Sequence, residues 1–280
     1  MASVNSPIRT FVKPFLFKIL GKKGYAYAQY LGKKRDIKHR LVEEKEMALL
    51  PLIVKNGDAV IDIGANYGYY TERLSKLVGK EGKVYSFEPI PFTFSVCKMI
   101  VENLKLKNVE LFKLGVSDSK KKITFSVPKL DFGGISAGQA HISGRKHDLV
   151  EKEKYYDFQE DELIDCDVVA LDHFTFSSFS NLTFIKIDIE GAELFALKGM
   201  ENLIKKFKPV ILIEVQPYFL EGFNIDEVQF RDYINNVLGY TIYFLEEGST
   251  ELILLKTVFF DNNFILLPTD NLENFKSLIK

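Results

Sequence analysis

Two acidic residues in the segment KIDIEGAE are spaced like side chains that act together. Residues 184–189 alternate in the manner of a strand, so Asp188 and Glu190 point in one direction near its carboxyl end. Ligands of open α/β sheets bind beyond such ends. A carboxylate there can orient or deprotonate a hydroxyl group, and several carboxylates can hold a hard metal ion. We therefore predict a chemical role for Asp188 and Glu190, and a structural role for Glu193, which suits the helix dipole in the first turn of the next helix.

The segment VIDIGANYGYY has the pattern of a strand that ends in a glycine loop and continues as a helix. Its apolar run contains one acid, Asp62, and is broken by Gly64, Asn66 and Gly68. Helical spacing then resumes and predicts a helix over 67–78. A strand, loop and helix in this order let the backbone approach a ligand closely.

The glycine spacing argues against two kinds of phosphate site. The dinucleotide fingerprint G-x-G-x-x-G would need glycine where Asn66 and Tyr69 stand. No Gly-Lys-Ser/Thr follows, so a Walker-type cradle is not predicted either. The next predicted strand ends in KVYSFEP, which places Glu88 where an acid clamps the hydroxyls of a ribose. Together these features describe a pocket for a nucleoside without pyrophosphate, and S-adenosylmethionine fits that description.

Strands and helices alternate along the chain and predict a doubly wound α/β fold. Short β-rich runs at Ala59–Ile63, Lys83–Phe87 and 109–114 are separated by the helix after the glycine loop and by a helix over 92–104. Such helical crossovers indicate parallel strands with right-handed connections. Further strands are predicted in LTFIKIDIEG, PVILIEVQ, TIYFLEE and NNFILLP, with the last two as an antiparallel pair at the edge of the sheet.

Residues 120–160 interrupt this alternation. KKITFSVP could form a short strand, but the residues after it are rich in glycine and then in charge, without a clean period. Long loops in compact domains are often lids or binding loops. We predict that residues 130–146 form a mobile lid that contributes contacts to the acceptor.

Four segments in order resemble the FkbM family of S-adenosylmethionine-dependent methyltransferases: VIDIGANYGYYT, VYSFEP, NVELFKLGVSD and FIKIDIEGAELFALKGM. The resemblance covers residues 57–216. It implies a Rossmann-like class I methyltransferase fold, with a mostly parallel seven-stranded sheet and an antiparallel edge strand. It also implies O-methylation of a hydroxyl on a sugar, a glycan or a small natural product. It implies that Asp62, Gly64, Asn66 and Gly68 hold the methionine end of the cofactor, that Glu88 holds the ribose, and that Ser117 and Asp118 lie near the adenine. Ala65, Pro89 and Asp188 are further predicted cofactor-binding residues.

Methyl transfer to oxygen requires that the acceptor hydroxyl lose its proton, to a base or with the help of a metal ion. The candidates for catalysis are Asp188, Glu190 and His173, with His141 and His147 of the irregular segment as alternatives. A divalent metal ion held by Asp172, Asp188 and Glu190 is a further hypothesis.

The composition is that of a soluble globular protein, with 46% hydrophobic and 27% charged residues. No apolar stretch approaches the roughly 18 residues of a membrane span. Lys13 and Lys18 interrupt the apolar run that a signal peptide would need. Cys97 and Cys166 lack metal or redox spacing and are predicted to be core thiols in a reducing compartment. These features favour a cytoplasmic location.

The first 40 residues carry ten Lys or Arg side chains against Asp36 alone, so the rest of the chain is acidic. Aromatic residues are interleaved with these basic ones. This arm could lie on an anionic membrane surface, or it could be a helix packed on the acidic body of the protein. It is not evidence of nucleic-acid binding. The predicted organisation is a basic, aromatic helical extension at 1–56 and one α/β domain at 57–280.

Other functions have weaker support in the sequence. GISAG matches G-x-S-x-G but lacks the flanking strand and helix that a nucleophile elbow needs. Enzymes that methylate amino groups of nucleic acids carry an Asn/Asp-Pro-Pro-aromatic motif, where this chain has DIEG. We therefore predict no nucleic-acid partner and expect a hydroxyl-bearing small molecule or glycan as the acceptor. The alternative from another class is a non-catalytic protein that binds S-adenosylmethionine and acts through its basic arm.

Overall fold

The structure is a computed structural model that describes residues 7–130, 140–144, 158–177 and 181–280. The strands in these ranges, numbered in chain order, are β1 Ala59–Ile63, β2 Lys83–Phe87, β3 Val109–Phe112, β4 Gly115–Val116, β5 Lys121–Leu130, β6 His141–Ile142, β7 Phe158–Val169, β8 Leu182–Ile187, β9 Val210–Val215, β10 Tyr240–Leu245, β11 Leu252–Leu254 and β12 Asn262–Pro268. The helices are α1 Pro7–Lys38, α2 Leu50–Ile53, α3 Tyr69–Val78, α4 Pro91–Asn103, α5 Glu193–Lys198, α6 Glu201–Phe207, α7 Pro217–Gly222 and α8 Glu227–Asp232. Shorter helical turns lie at Lys45–Ala48, Leu171–His173, Tyr233–Leu238 and Thr269–Phe275.

The main sheet has the order β11-β10-β12-β9-β8-β1-β2-β3. Its strands β3, β2, β1, β8 and β9 pair in parallel. The chain builds outward from β1 to β3 on one side and from β8 to β9 on the other, so the strand order reverses between β1 and β8. Such a switch point leaves a crevice at the carboxyl edge of the sheet. The predicted doubly wound class is confirmed.

The last strands differ in placement from the prediction. TIYFLEE and NNFILLP, which are β10 and β12, pair antiparallel as expected. However, β12 lies between β9 and β10, and the short β11 forms the outer edge, so the described sheet has eight strands instead of seven. Phe264, Ile265, Leu266 and Leu267 are all buried in β12. A strand that is apolar on both faces is stable in the middle of a sheet, where both faces are covered.

The hydrophobic core has two layers, one on each face of the main sheet. All five residues of β1 are buried. Ile61 contributes to the layer that contains α5 and α6, and Val60 contributes to the layer that contains α3. Burial on both faces holds the end of β1 rigidly, and this is where the glycine loop begins.

A second sheet, in the order β4-β7-β5-β6, occupies part of the segment that was predicted to be irregular. Its long strands β5 and β7 pair antiparallel. Val127 and Cys166 of these strands pack with Ile90 on the inner face, while Thr124 and Asp165 bond to each other on the outer face. Of the residues 130–146 that were predicted to form a lid, 131–139 and 145–146 lie outside the described residues, as does His147.

The C-terminal half of α1 packs against the body of the protein. Ala26, Tyr30 and Ile37 form a cluster with Val96 and Ile100 of α4. None of the described helices is both long and apolar enough to cross a bilayer.

Candidate functional site

The glycine loop follows β1 and lies against the end of β8. Gly64 and Gly68 have φ angles of 78° and 85°, and Asn66 between them has 49°. A Cβ at Gly64 would overlap the carbonyl oxygen of Asp188, so only glycine allows this approach. The N–H groups of Gly64 and Ala65 both donate to the carbonyl of Phe87 at 3.0 Å. The loop is therefore fixed to the ends of both neighbouring strands.

Two buried oxygens of this loop region accept no hydrogen bond within the described part of the chain. Asp62 is fully buried, and its Oδ2 accepts from the Thr71 hydroxyl at 2.6 Å. Its Oδ1 has no hydrogen-bond partner among the described residues, and the same holds for Oδ1 of Asn66. Burial raises the pKa of Asp62, which the nearby charge of Lys186 opposes. Unpaired buried acceptors are costly, and they suit the ammonium and hydroxyl donors that S-adenosylmethionine carries.

Glu88 follows β2 and is 5% exposed. Its Oε2 accepts from the N–H of Asn66 at 2.8 Å. Its Oε1 accepts from the N–H of Ile90 at 2.9 Å and from the Thr93 hydroxyl at 2.8 Å. A carboxylate offers about four acceptor positions, so capacity for a ligand hydroxyl remains. Burial raises the pKa of Glu88, and these three hydrogen bonds oppose the rise.

A narrow cleft leads from the glycine loop between the two sheets. It is lined by Gly64, Phe87, Pro89 and Gly115 and by Phe125 of β5. Pro89, a predicted cofactor contact, lines this cleft.

Ser117 and Asp118 directly follow the β4 strand that lines this cleft. Ser117 is 3% exposed, and its hydroxyl donates to Asp118 at 3.3 Å. Asp118 also accepts from Lys121 at 2.7 Å. The predicted adenine-binding residues thus lie beside the cleft.

Three carboxyl groups meet at the carboxyl edge beyond β8 and β9. One oxygen from each of Asp188, Glu190 and Glu214 lies within 4.8 Å of the others. The sequence placed the first two together, and it missed Glu214. The signal was present, because PVILIEVQ is a buried strand with an acid near its carboxyl end, like KIDIEG. Three oxygen ligands at this spacing could also hold a hard cation.

The charges in this cluster are unequal. Asp188 accepts from Lys186 Nζ at 2.9 Å. Burial opposes ionisation of Asp188, but Lys186 and a hydrogen bond with Glu214 hold its pKa below the usual value. Burial and the charge of Asp188 together raise the pKa of Glu214 to about 9. Of the two groups, Glu214 therefore holds a proton more tightly than Asp188 does.

Glu193 has the structural role predicted for it. Its Oε1 accepts from the N–H groups of Ile189 at 3.2 Å and of Gly191 at 3.1 Å. These bonds hold the turn that carries Glu190, whose φ is 58°. Burial raises the pKa of Glu193 to about 7.

His173 and Asp172 are not part of the group formed by the three carboxyl oxygens. His173 is exposed and lines a different cleft, beside Val169 and Thr175. Asp172 accepts from the N–H groups of Asn202 and Leu203 at 2.9 Å, which caps α6. The predicted metal site of Asp172, Asp188 and Glu190 is therefore wrong, because the Asp172 carboxylate caps the N-terminus of α6. His141 pairs with Ser126 in the second sheet.

A parallel sheet with a switch point, a glycine loop without phosphate-binding spacing and an acid after β2 are features that S-adenosylmethionine-dependent methyltransferases have. The profile of the Methyltransferase FkbM domain matches residues 62–242. The chain belongs to this family.

The chain is similar to several methyltransferases. The chain is 24% identical over 163 residues to a probable cobalt-precorrin-6B C(15)-methyltransferase (decarboxylating) of Saccharolobus solfataricus, covering 58% of this chain and 78% of that protein. It is 24% identical over 152 residues to Methyltransferase 1 of Beauveria bassiana, covering 51% of this chain and 58% of that one. The crystal structure of a methyltransferase FkbM from Methylobacillus flagellatus aligns with a TM-score of 0.49 at 17% identity, over 87% of this chain and 53% of that one. The chain thus spans little more than half the length of the last two.

Proposed function

We propose that this methyltransferase transfers the methyl group of S-adenosylmethionine to a hydroxyl of a sugar, a glycan or a small natural product. The observation that carries the proposal is the position of Asp188. Its backbone touches Gly64 of the glycine loop, and its side chain, about one third exposed, is held by Lys186 at the open edge. A carboxylate that remains ionised next to the cofactor loop can accept a hydrogen bond from the hydroxyl group of an acceptor.

When bound, S-adenosylmethionine supplies an electrophilic methyl group. The chain would hold its methionine end with Asp62, the glycine loop and the backbone of Asp188, and its ribose with Glu88. Asp188 accepts a hydrogen bond from the acceptor hydroxyl, which aims one oxygen lone pair at the methyl group. As the acceptor oxygen bonded to the methyl carbon, the carbon–sulfur bond would break to leave S-adenosylhomocysteine, and the Asp188 carboxylate would take the hydroxyl proton. Alignment of this kind supplies much of the acceleration of a displacement reaction.

The neighbouring acids support a hydroxyl-bearing acceptor. Asp188, Glu190 and Glu214 present several oxygen atoms within a few ångströms. Vicinal hydroxyl groups of a sugar-like molecule can each donate to such oxygens. The same acids repel the phosphates of a nucleic acid, whose binding depends on basic side chains. This charge distribution favours a polyhydroxylated acceptor over RNA or DNA.

The experiment is a screen with methyl-labelled S-adenosylmethionine. The purified protein is incubated with monosaccharides, nucleotide sugars, glycans and hydroxylated small molecules, with and without Mg²⁺ or a chelator, and with RNA as a separate arm. We expect label in a base-stable methyl ether of a hydroxyl acceptor. Label in RNA or on carbon would contradict the proposal. Tight cofactor binding with no labelled product from any acceptor would favour the non-catalytic alternative.

A further inference from the structure

Lys186 is a buried lysine with no assigned role in the reaction described above. Its side chain is 7% exposed. Nζ donates to Oδ2 of Asp188 at 2.9 Å and to the carbonyl of Gly64 at 3.2 Å. It also lies 5.1 Å from the centre of the Tyr70 ring. Its ammonium group is therefore surrounded by one carboxylate, one carbonyl and one aromatic face.

A cation in this position is costly unless its neighbours compensate for lost hydration. Burying an ammonium group costs several kcal/mol even after relaxation. Asp62 is the residue opposite Lys186 in the pairing of β1 with β8, and it is fully buried. Lys186 thus lies between two acids, Asp62 and Asp188. The charge of Lys186 opposes the rise that burial causes in the pKa of Asp62, and it holds the pKa of Asp188 below its usual value.

The two hydrogen bonds of Lys186 join parts of the site with different tasks. Gly64 belongs to the loop that approaches the cofactor, and Asp188 belongs to the edge that receives the acceptor. The backbones of these residues already touch, since no Cβ fits at Gly64. One ammonium group bonded to both therefore fixes the loop relative to the carboxylate.

We propose that Lys186 is a positioning residue, which acts through Asp188 and the Gly64 carbonyl to hold the cofactor loop and the acceptor carboxylate in one geometry. The inference rests on the proposed placement of S-adenosylmethionine at the glycine loop. It adds the residue that links the two halves of the site.

The test is a double-mutant cycle read by the affinity for S-adenosylhomocysteine, which needs no acceptor. Calorimetry is run on the wild type, Lys186→Met, Asp188→Asn and the double variant. Lys186→Met leaves Asp188 uncompensated beside the loop, so affinity should fall about tenfold or more, the size expected for hydrogen bonds of charged groups. In the Asp188→Asn background that charge is absent, so Lys186→Met should lower the affinity by less than about threefold. A residue that only fills space would cost the same factor in both backgrounds.

Two further variants complete the test. Lys186→Arg keeps the charge and donors and should recover most of the affinity that Lys186→Met loses. Lys205→Met removes an exposed lysine that pairs with Glu201 on α6 and should bind like the wild type. If Lys186→Met does not fold, as judged by circular dichroism and thermal unfolding, Lys186→Gln replaces it in the cycle.

The outcomes separate this inference from the cofactor assignment. The positioning role alone would be overturned if Lys186→Met lowered the affinity by the same factor with and without Asp188. An unchanged affinity in Lys186→Met would overturn it as well. A wild-type protein that binds no S-adenosylhomocysteine would overturn the cofactor assignment and this inference with it. The positioning role is supported if Lys186→Met lowers the affinity only when Asp188 is present, and if Lys186→Arg recovers most of that affinity.

Discussion

At the scale of single residues, Glu88 has two roles. The sequence predicted a ribose clamp, and the structure adds that the same carboxylate holds the glycine loop through the N–H of Asn66. Glu88→Gln exchanges one acceptor oxygen for a donor that faces the existing donors. Hydrogen bonds to charged groups contribute about 1.5–3 kcal/mol, so affinity for S-adenosylhomocysteine should fall about ten- to a hundredfold in calorimetry.

The control for this prediction is Glu110→Gln on the neighbouring strand β3. Glu110 accepts hydrogen bonds from Lys83 and Ser177. Its substitution should leave the affinity for S-adenosylhomocysteine unchanged. Wild-type affinity in Glu88→Gln would show that the ribose is held elsewhere.

The raised pKa of Glu214 predicts how the stability of the protein depends on pH. Its pKa of about 9 in the folded protein exceeds the ordinary value of 4.5, because of burial and the charge of Asp188. Between these two values the folded state binds the proton more tightly than the unfolded state does. The stabilisation is thus complete below about pH 4.5 and is lost as the pH rises through about 9. Thermal unfolding from pH 5 to 9 should show a decline in the wild type that is smaller in Glu214→Gln.

Glu273→Gln is the matched control, because Glu273 is exposed and pairs only with the nearby Lys276 among its described partners. This variant should follow the wild-type decline. A Glu214→Gln curve parallel to that of the wild type would mean that Glu214 is ionised in the folded protein.

The sequence predicted residues that stand at strand ends better than residues that depend on distant partners. Asp188 and Glu190 were found because β8 alternates and its end is recognisable. Glu214 obeys the same rule, and it was missed because PVILIEVQ was read only as a strand. The role of Asp172 depends on the N–H groups of residues 202 and 203, some 30 positions away. No local pattern reveals such a contact.

The glycine loop gives the sharpest prediction at the scale of elements. Gly64→Ala places a methyl group on the Asp188 carbonyl, at a φ of 78°. Gly239 has a nearly equal φ of 76° with no atom near the added Cβ. Gly239→Ala should therefore cost only about 1–2 kcal/mol, the price of left-handed backbone for an L-residue. Gly64→Ala should lower the unfolding temperature further and abolish binding of S-adenosylhomocysteine.

If both alanine variants unfold at the same temperature and Gly64→Ala still binds S-adenosylhomocysteine, the close contact between the loop and β8 does not exist in solution. Differential scanning fluorimetry with and without this ligand measures both quantities.

The second sheet shows where reading of elements from sequence is weak. β1, β8 and β9 are mostly apolar and almost wholly buried, which makes them easy to recognise. β5 and β7 carry charged residues on their outer face, such as Lys122 and Asp167, which form an ion pair. Their inner residues alternate with these charges, and the partner strand lies about 40 positions away in the chain. Pairing at that range leaves little local signal.

At the scale of the whole molecule, α1 has two parts. Tyr25 stacks on Phe92 of α4 with ring centres 5.8 Å apart, and the Tyr69 hydroxyl beside the glycine loop donates to Asp36 at 3.3 Å. These contacts support a packed helix for the second part of the arm, whereas the predicted boundary at residue 56 stays a prediction. The kink at Gly21, with a φ of 61°, separates this part from the residues before it.

Truncation tests this division. Deletion of residues 2–20 should leave the unfolding temperature and the affinity for S-adenosylhomocysteine nearly unchanged. Deletion of residues 2–38 should lower both, because it uncovers Val96 and Ile100 and removes the partner of Tyr69. Loss of salt-sensitive binding to anionic liposomes in the shorter deletion would assign the first part to a membrane surface. Equal unfolding temperatures for both deletions would contradict the packed helix.

The central claim is that the carboxyl edge of the sheet aligns an acceptor hydroxyl through Asp188 with a methyl group held at the glycine loop. The most direct measurement compares wild type and Asp188→Asn in single-turnover methyl transfer, with an acceptor found by the labelled screen, and in calorimetric titration of S-adenosylhomocysteine. Asparagine keeps the shape and removes the charge that orients and deprotonates the hydroxyl. A positioned base contributes about 10²–10⁴-fold, so transfer should slow by about a hundredfold or more, while the affinity changes less than about tenfold. A folded Asp188→Asn protein that transfers methyl at the wild-type rate would contradict the claim.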